Sequence, residues 1–399
     1  MQDNQSKTVN EQNRPKDGIT INYIKALGKE KSDANLDLLE KLFDDDRLKL
    51  DIRREIVSSI GRQTNNDRVL EFDTEQAFNP KNPMELIYQI FRTCLYKGKT
   101  DERFYKLGEK IKSTYNNEIV AKMDAFYKFR HSKEKRVHNT NPINPTLLVG
   151  DTEKTLKQLP KQIVHMAFTS PPYYNAREYS DYHSYKEYLQ KMKRVFQAVN
   201  RVLEDGRFFI VNISPVITKR PGREFESIRY PISYDYHKIL EEAGFCFIDE
   251  IMWIKPEPSV PNRIGGYLQT RKPLTYKPNC ITESIMVYRK KCNFLLDKNV
   301  NDYPVYDRHD DEEIDTSNCW YIAPRADKDH PAVFPDELCR RVLKYYSFEG
   351  DVILDPFAGS GTLGRVAKEM GRTPIMCELN EHYAELINKA EKGYYDIRR

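Results

Sequence analysis

No run of about 18 apolar residues occurs in the 399-residue chain, so no segment reads as a membrane-spanning helix. The amino terminus, Met-Gln-Asp-Asn-Gln-Ser-Lys, carries no apolar core of a secretory signal. Cysteine is sparse: the seven residues form no Cys-x-x-Cys pair, which excludes a cysteine zinc ribbon and argues against a disulfide scaffold. A reducing cytoplasm is the expected setting, and no metal centre is expected. An excess of one charge is also missing. Lys and Arg number 64 against 60 Asp and Glu, and a net charge of +4 does not by itself establish a polyanionic partner. Absent too is the G-x-x-x-x-G-K-[ST] loop that grips nucleotide phosphates. What is present is length enough for two or three domains, apolar residues at 39%, and 26 tyrosines, read as part of a compositional bias toward Lys, Asn and Tyr.

Residues 1–18 hold almost no apolar side chains and cannot offset the entropy of ordering, so a mobile tail is expected there. From 19 to 131, apolar residues at helical spacing predict an all-α domain. Leu36, Leu38, Leu39, Leu42 and Phe43 make one stripe. Leu48, Ile52, Ile56, Val57 and Ile60 make a second, which Gly61 stops. After a break at Asn79-Pro80 come Leu86, Ile87, Ile90, Phe91 and Leu95, then Phe104, Leu107 and Ile111. Helix pairs recurring after roughly 50 residues approach the period of HEAT-type repeats, with an unrelated bundle as the alternative. Residues 132–145 are basic and punctuated by proline, as a linker would be.

From 146 to 399 strand and helix signals alternate, which predicts a doubly wound α/β sheet. The helical stripe that starts at Tyr185 is expected to end at Asp205-Gly206. Residues 255–330 break the rhythm and read as an insertion. Within it, the stretch from Lys255 to Lys291 carries eight Lys and Arg against two acids. Lys255, Arg271, Lys272, Lys277, Arg289, Lys290 and Lys291 are therefore candidates for contact with nucleic-acid phosphates. The stretch from Asp297 to Asp315 reverses the balance, eight acids against two bases, and reads as a solvated loop.

Two motifs carry the chemistry. Asp355-Pro356-Phe357-Ala358-Gly359-Ser360-Gly361-Thr362 follows a short apolar strand and opens a helix. Its glycines allow a tight turn and a close approach of backbone to ligand. Asp355 puts negative charge where a cation would suit better than a pyrophosphate. One strand later Glu378 stands at a strand end, where a carboxylate suits ribose hydroxyls. The second motif, Thr169-Ser170-Pro171-Pro172-Tyr173-Tyr174, also ends a strand. Pro171 and Pro172 stiffen the backbone and remove two donors, leaving mainly acceptors: the Ser170 hydroxyl and main-chain carbonyls. Tyr173 adds a ring face for a planar base. Acceptors beside a stacking ring suit an exocyclic amine.

Together these residues resemble the amino-methylating DNA methyltransferases that use S-adenosylmethionine, over about residues 146–392. Gly150-Asp151 resembles the acidic turn that holds the cofactor adenine. His330-Pro331-Ala332-Val333-Phe334-Pro335 resembles the segment near the methionine moiety, with Phe334 its aromatic. Trp253-Ile254-Lys255-Pro256 resembles the strand end that leads into target recognition. The catalytic motif precedes the cofactor loop, as in the circularly permuted beta class. The resemblance implies a Rossmann-like sheet and Ser170, Pro171, Pro172 and Tyr173 as the catalytic turn. It implies Asp151, Phe334, Asp355, Phe357, Gly359, Ser360, Gly361, Thr362 and Glu378 as cofactor contacts.

The implied reaction needs no covalent enzyme intermediate. Hydrogen bonds to Ser170 Oγ and the Pro171 carbonyl would localise the amine lone pair for in-line attack on the sulfonium methyl. The base must first leave double-stranded DNA, which costs a few kcal/mol. Serine at the head of the motif resembles the cytosine-N4 group, while aspartate is commoner in the adenine-N6 group, so adenine stays the alternative. A cognate restriction endonuclease is a further candidate partner, with the enzyme on the nucleoid in the cytoplasm. A DNA- or partner-binding module with secondary catalysis is the competing class. Gly359 to Gly364 also fits the G-x-G-x-x-G spacing of nicotinamide enzymes, but that reading leaves the Ser-Pro-Pro-Tyr turn unexplained.

Overall fold

The computed structural model describes residues 19–131, 138–174, 182–214, 216–217, 224, 228–260, 274, 278–303, 315–325 and 334–399. The chain divides into two compact units between residues 134 and 135. The tail at 1–18 and most of the linker lie outside the described residues.

The first unit is all helical: α1 (Ile21–Lys29), α2 (Asp33–Phe43), α3 (Leu50–Gly61), α4 (Asn66–Ala77), α5 (Met84–Lys97), α6 (Glu102–Tyr115) and α7 (Glu118–His131). Polar caps set several starts. The side chains of Thr20, Ser32, Asn65 and Asp101 each accept a backbone N–H from the first turn of the helix that follows. The expected stripes form the core, with Leu36, Leu39, Ile56, Val57, Ile60, Leu86, Ile90, Phe104 and Ile111 fully buried. Helices α1, α3 and α5 lie in a row, with α2 against α3 and α4 against α5 and α6. Gly61 does more than stop a helix: a Cβ there would lie 2.2 Å from Thr93 Oγ1 of α5, so it sets how closely α3 and α5 approach.

The second unit is a nine-stranded sheet with helices. Its strands are β1 (Thr146–Val149), β2 (Val164–Thr169), β3 (Leu203–Ile213), β6 (Phe245–Ile254), β7 (Thr282–Lys290), β8 (Cys319–Tyr321), β9 (Val352–Asp355), β10 (Thr373–Glu378) and β11 (Asp396–Arg398). Two further strands, β4 (Val216–Ile217) and β5 (Arg229–Tyr230), pair apart from it. The order is β11-β1-β10-β9-β2-β3-β7-β6-β8. All neighbours run parallel except β7, which is antiparallel to both β3 and β6. The helices are α8 (Thr152–Thr155), α9 (Tyr185–Val202), α10 (Ile232–Glu242), α11 (Asp297–Val300), α12 (Asp336–Tyr346), α13 (Thr362–Glu369) and α14 (Glu381–Ala390).

Strands β1, β2 and β9 are buried along their whole length, as the continuous apolar runs of a covered parallel sheet require. Alternate residues feed two cores. Ala167, Phe209, Val211 and Leu354 join the cluster with α9 and α10, while Phe168, Ile210 and Ile353 join that with α12 and α13. One expectation fails here. Asp205-Gly206 does not end α9, because β3 begins at Leu203, directly after it. Gly206, at φ +76°, lies where the β2–β3 register shifts between Val164 and Met166. A glycine that accepts positive φ serves a bulge as well as a helix stop, and the sequence signal is the same for both.

Candidate active site

The carboxyl ends of four adjacent strands, β1, β10, β9 and β2, carry the two motifs and both acidic turns. Carboxyl ends are where ligands bind in open α/β sheets. Thr169 Oγ1 donates to Asp355 Oδ1 at 2.7 Å, a direct bond between the strand of the Ser-Pro-Pro-Tyr turn and the glycine-rich loop. Thr152 Oγ1 donates to the Pro356 carbonyl at 2.7 Å and fastens the loop to the turn after β1. The Ala358 amide donates to the Cys377 carbonyl at 2.9 Å, and the Gly359 amide to Glu378 Oε2 at 2.8 Å.

Gly359 and Gly361 take φ values of +53° and +79°. At Gly361 a Cβ would also come within 2.9 Å of Ile387 Cγ1, so the turn has room only for glycine. Gly361 caps α13, whose free amides begin at Thr362. Ser360 Oγ and Thr362 Oγ1 lie 3.3 Å apart. Phe357 is half-buried at the rim of the core that includes α9 and α10.

The acids of this edge are held in unlike ways. Asp355 is 2% exposed and accepts from Thr169 and, at 3.0 Å, from the Phe357 amide. Burial pushes its carboxyl up to about 7, with Glu378 adding to the rise. The same burial raises Glu378, whose oxygens accept from the Gly359 and Asn380 amides. Asp151 caps α8 and takes Lys191 Nζ at 2.7 Å on both oxygens, which with the amide of Glu153 holds it below the ordinary range despite burial.

Around the turn, Pro171 and Tyr174 are buried, and Ser170, Pro172 and Tyr173 are partly buried. The Tyr173 hydroxyl donates to Glu283 Oε2 of β7 at 3.1 Å. Asn212 Nδ2 of β3 and Lys255 Nζ, just past β6, donate to the same carboxylate. Tyr174 packs on Tyr185 and Tyr230 at 5.2 and 5.0 Å between ring centroids, with Tyr182, Tyr188 and Tyr236 behind them. Part of the tyrosine content is thus a local buttress of the turn and not only a compositional bias.

Sequence reasoning missed Glu283 and Asn212. A lone acid at a strand start, inside a stretch otherwise basic, was the available signal. Phe334 stacks on Phe168 of β2 at 4.7 Å, one strand from the glycine loop.

Among the described residues the basic candidates are not brought together. Arg271, Lys272 and Lys277 lie outside the described residues. Lys255 is spent on Glu283 and over the Trp253 ring at 4.6 Å, so its charge is not offered to phosphate. Because β7 runs antiparallel, Arg289, Lys290 and Lys291 fall at the opposite edge of the sheet. There Arg289 Nε donates to the Gly206 carbonyl at 2.7 Å, Lys290 Nζ to the Leu203 carbonyl at 2.6 Å and Lys291 Nζ to the Glu241 carbonyl at 3.2 Å. Reading by sequence proximity could not tell which end of the strand each residue would reach.

Among the described residues one cluster has metal-ligand composition: His138, His165 and Glu204, at the amino edge. His165 Nδ1 accepts the Val352 amide at 2.9 Å, so its proton sits on Nε2, which donates to the Asn139 carbonyl at 3.2 Å. Neither ring nitrogen keeps a lone pair for a metal. His138 Nδ1 and the Asn139 amide both lie on the Glu204 carboxylate.

With this geometry in place, comparison with known proteins decides the family. Residues 164–389, more than half of the chain, match the N6/N4 DNA methylase family. The chain belongs to that family of DNA methylases. Among curated relatives, this methylase is 29% identical over 255 residues to the type II methyltransferase M.ScaI of Streptomyces caespitosus, covering 59% of this chain and 78% of that one. It is likewise 29% identical over 271 residues to M.SmaI of Serratia marcescens, covering 61% of this chain and 89% of that one. A Thermus thermophilus protein assigned as a DNA modification methylase, solved with S-adenosyl-L-methionine, is 25% identical. It covers 64% of this chain and 100% of that one, with a TM-score of 0.47. The helical unit lies outside the family match. Among the described residues, no helix is long and apolar enough to cross a membrane.

Proposed function

We propose that this DNA methylase transfers a methyl group from S-adenosylmethionine to the exocyclic N4 amine of a cytosine flipped out of double-stranded DNA. The observation that carries the reading is the Thr169–Asp355 bond, which sets an acceptor-rich turn headed by Ser170 against a glycine-only loop. The donor set fits the cofactor. The loop has room only for glycine at 361, which lets its backbone come close to a ligand, and Asp355 is a buried acid whose described charged neighbour is another acid. A sulfonium is the cation such a place favours. Gly359, Ser360, Gly361 and Thr362 would line the cofactor, Glu378 would take ribose hydroxyls and Asp151 adenine. Phe334 and Phe357 would flank the methionine.

The cofactor supplies an electrophilic methyl; the chain does the rest. Ser170 Oγ and the Pro171 carbonyl accept the amine protons and concentrate the lone pair on nitrogen. Tyr173, next in the chain to Tyr174 and its ring cluster, presents a flat wall to the base, in a setting from which the rigid Pro-Pro backbone removes competing donors. Positioning of this kind supplies several kcal/mol. Order along the chain, with the turn before the cofactor loop, supports the permuted beta-class arrangement, and residues 255–330 are the candidate target-recognition insertion. We assign the helical unit at 19–131, of HEAT-like character, to holding DNA or a partner, and the whole to a restriction–modification system with a cognate endonuclease. Adenine N6 is the second reading, since the family covers both amines. Mass spectrometry of nucleosides from DNA of cells expressing the protein tests the first: N4-methylcytosine is expected, and N6-methyladenine alone would replace the base while keeping the site.

A further inference from the structure

The Glu283 carboxylate gathers donors from three parts of the fold at one edge of the sheet. Oε2 accepts from the Tyr173 hydroxyl and Asn212 Nδ2, and Oε1 from Lys255 Nζ. Both charged side chains are largely buried, 11% exposed for Glu283 and 15% for Lys255, so the pair is shielded from water and held in one geometry. Hydrogen-bond direction then follows from the inventory of protons. A phenol has one proton, and the carboxylate, an acceptor only, takes it. The Tyr173 ring is thereby tied through its hydroxyl to a buried, ion-paired carboxylate, in the turn that Ser170 heads. Asn212 is buried as well, and its Oδ1 has no donor among the described residues, so the same network holds a second acceptor that an incoming donor would fill.

We propose that Glu283 is a positioning residue of the methyl-transfer site, fixing the Tyr173 ring through its hydroxyl and so setting the wall against which the target base lies beside Ser170. The proposal rests on the reading of Ser170 as the amine-binding group. No proton changes hands in this chain; each stays on its own oxygen, and the effect is one of orientation. Lys255 balances the charge that makes the arrangement tolerable in a buried place. Glutamine at 283 would turn an NH2 group toward one of the three donors and break either the lysine or the tyrosine contact.

The test uses the full chain, labelled cofactor and a large mixed-sequence DNA, with cofactor affinity measured by calorimetry. Glu283→Gln is expected to lower kcat about tenfold to a hundredfold while leaving the cofactor Kd within about twofold, as misorientation at a reacting group does. In a Tyr173→Phe background the same substitution is expected to cost less than about threefold, because the Glu283–Tyr173 bond is already cut. Equal losses in both backgrounds, or a Glu283→Gln protein with the wild-type kcat, would overturn the proposal. Should Glu283→Gln fail to fold, Glu283→Asp keeps the charge with a shorter reach and is judged by the same coupling with Tyr173→Phe. A wild-type protein that methylates no DNA would sink the reading of the whole site, an outcome visible before any variant is made.

Discussion

At the amino edge of the sheet, Glu204 and Asp351 are 0% and 1% exposed, and both are compensated. Arg207 forms an ion pair with Asp351, to which the Phe348 amide also donates, at 2.8 Å. Glu204 is met by His138 Nδ1 at 3.1 Å and the Asn139 amide at 3.2 Å. At the carboxyl edge, Asp355 is buried almost as deeply, yet what surrounds it is a hydroxyl, one amide and a second acid. One sheet thus carries two kinds of buried acid. Where guanidinium or imidazole donors meet the acid within the chain, the group holds the fold together. Where they do not, the acid keeps its proton until a cation arrives, which is the role proposed for that edge.

The comparison can be broken first where the structural effect is largest. Arg207→Ala would leave Asp351 buried without its cation and is expected to lower unfolding free energy by about 3–5 kcal/mol. Denaturant titration reads the loss, and cofactor affinity of the folded fraction should not change. On the other edge, Gly361→Val meets both a positive φ and Ile387, so calorimetry should show cofactor affinity falling by about a hundredfold or more. Unchanged affinity in the folded variant would remove the loop from the site.

A pH series sharpens the contrast further. The Asp355 carboxyl sits at about 7 in the fold, against an ordinary value near 4, so the folded protein holds a proton there between those values. Its contribution to stability is therefore present at the acid end of that window and is lost as pH rises toward 7. A cation beside it pulls the carboxyl back down. Cofactor binding should accordingly release a proton and strengthen up to about tenfold per pH unit below 7, then level off. Asp355→Asn should flatten the profile. His165 behaves in the opposite sense: burial lowers its pKa below the ordinary value, so acid that favours the Asp355 proton weakens the amino edge. The smallest effect concerns Lys291. Placed at the amino edge, it should leave DNA affinity within about twofold, and the salt slope unaltered, when changed to alanine.

Much of the fold was legible because its signals are local. Apolar stripes marked the helices, and continuous apolar runs such as Thr146–Val149 marked the buried strands. The two motifs were legible because each pairs unusual backbone chemistry with a strand end. What was not legible depends on strand direction. Nothing local tells that β7 runs against its neighbours, so Glu283 arrives at the turn while Arg289 and Lys290, a few residues on, are carried to the far edge. Lys255 was noticed for its charge, but the partner that neutralises that charge lies 28 residues away. Gly206 shows the same limit at short range, since a turn-prone pair names a break in regularity without naming which kind.

The reversed strand also makes a neck. The chain leaves the sheet at Lys255 and returns at Thr282, and the two points are tied by the Lys255 amide on the Ile281 carbonyl at 2.8 Å and by the Lys255–Glu283 pair. The stretch of chain between the two points is thus closed at its base. Loop-closure entropy grows only slowly with length, so segments of quite different size or sequence could be exchanged above this neck without disturbing the strands below it. Such a scaffold can change what it recognises while keeping the reaction it performs.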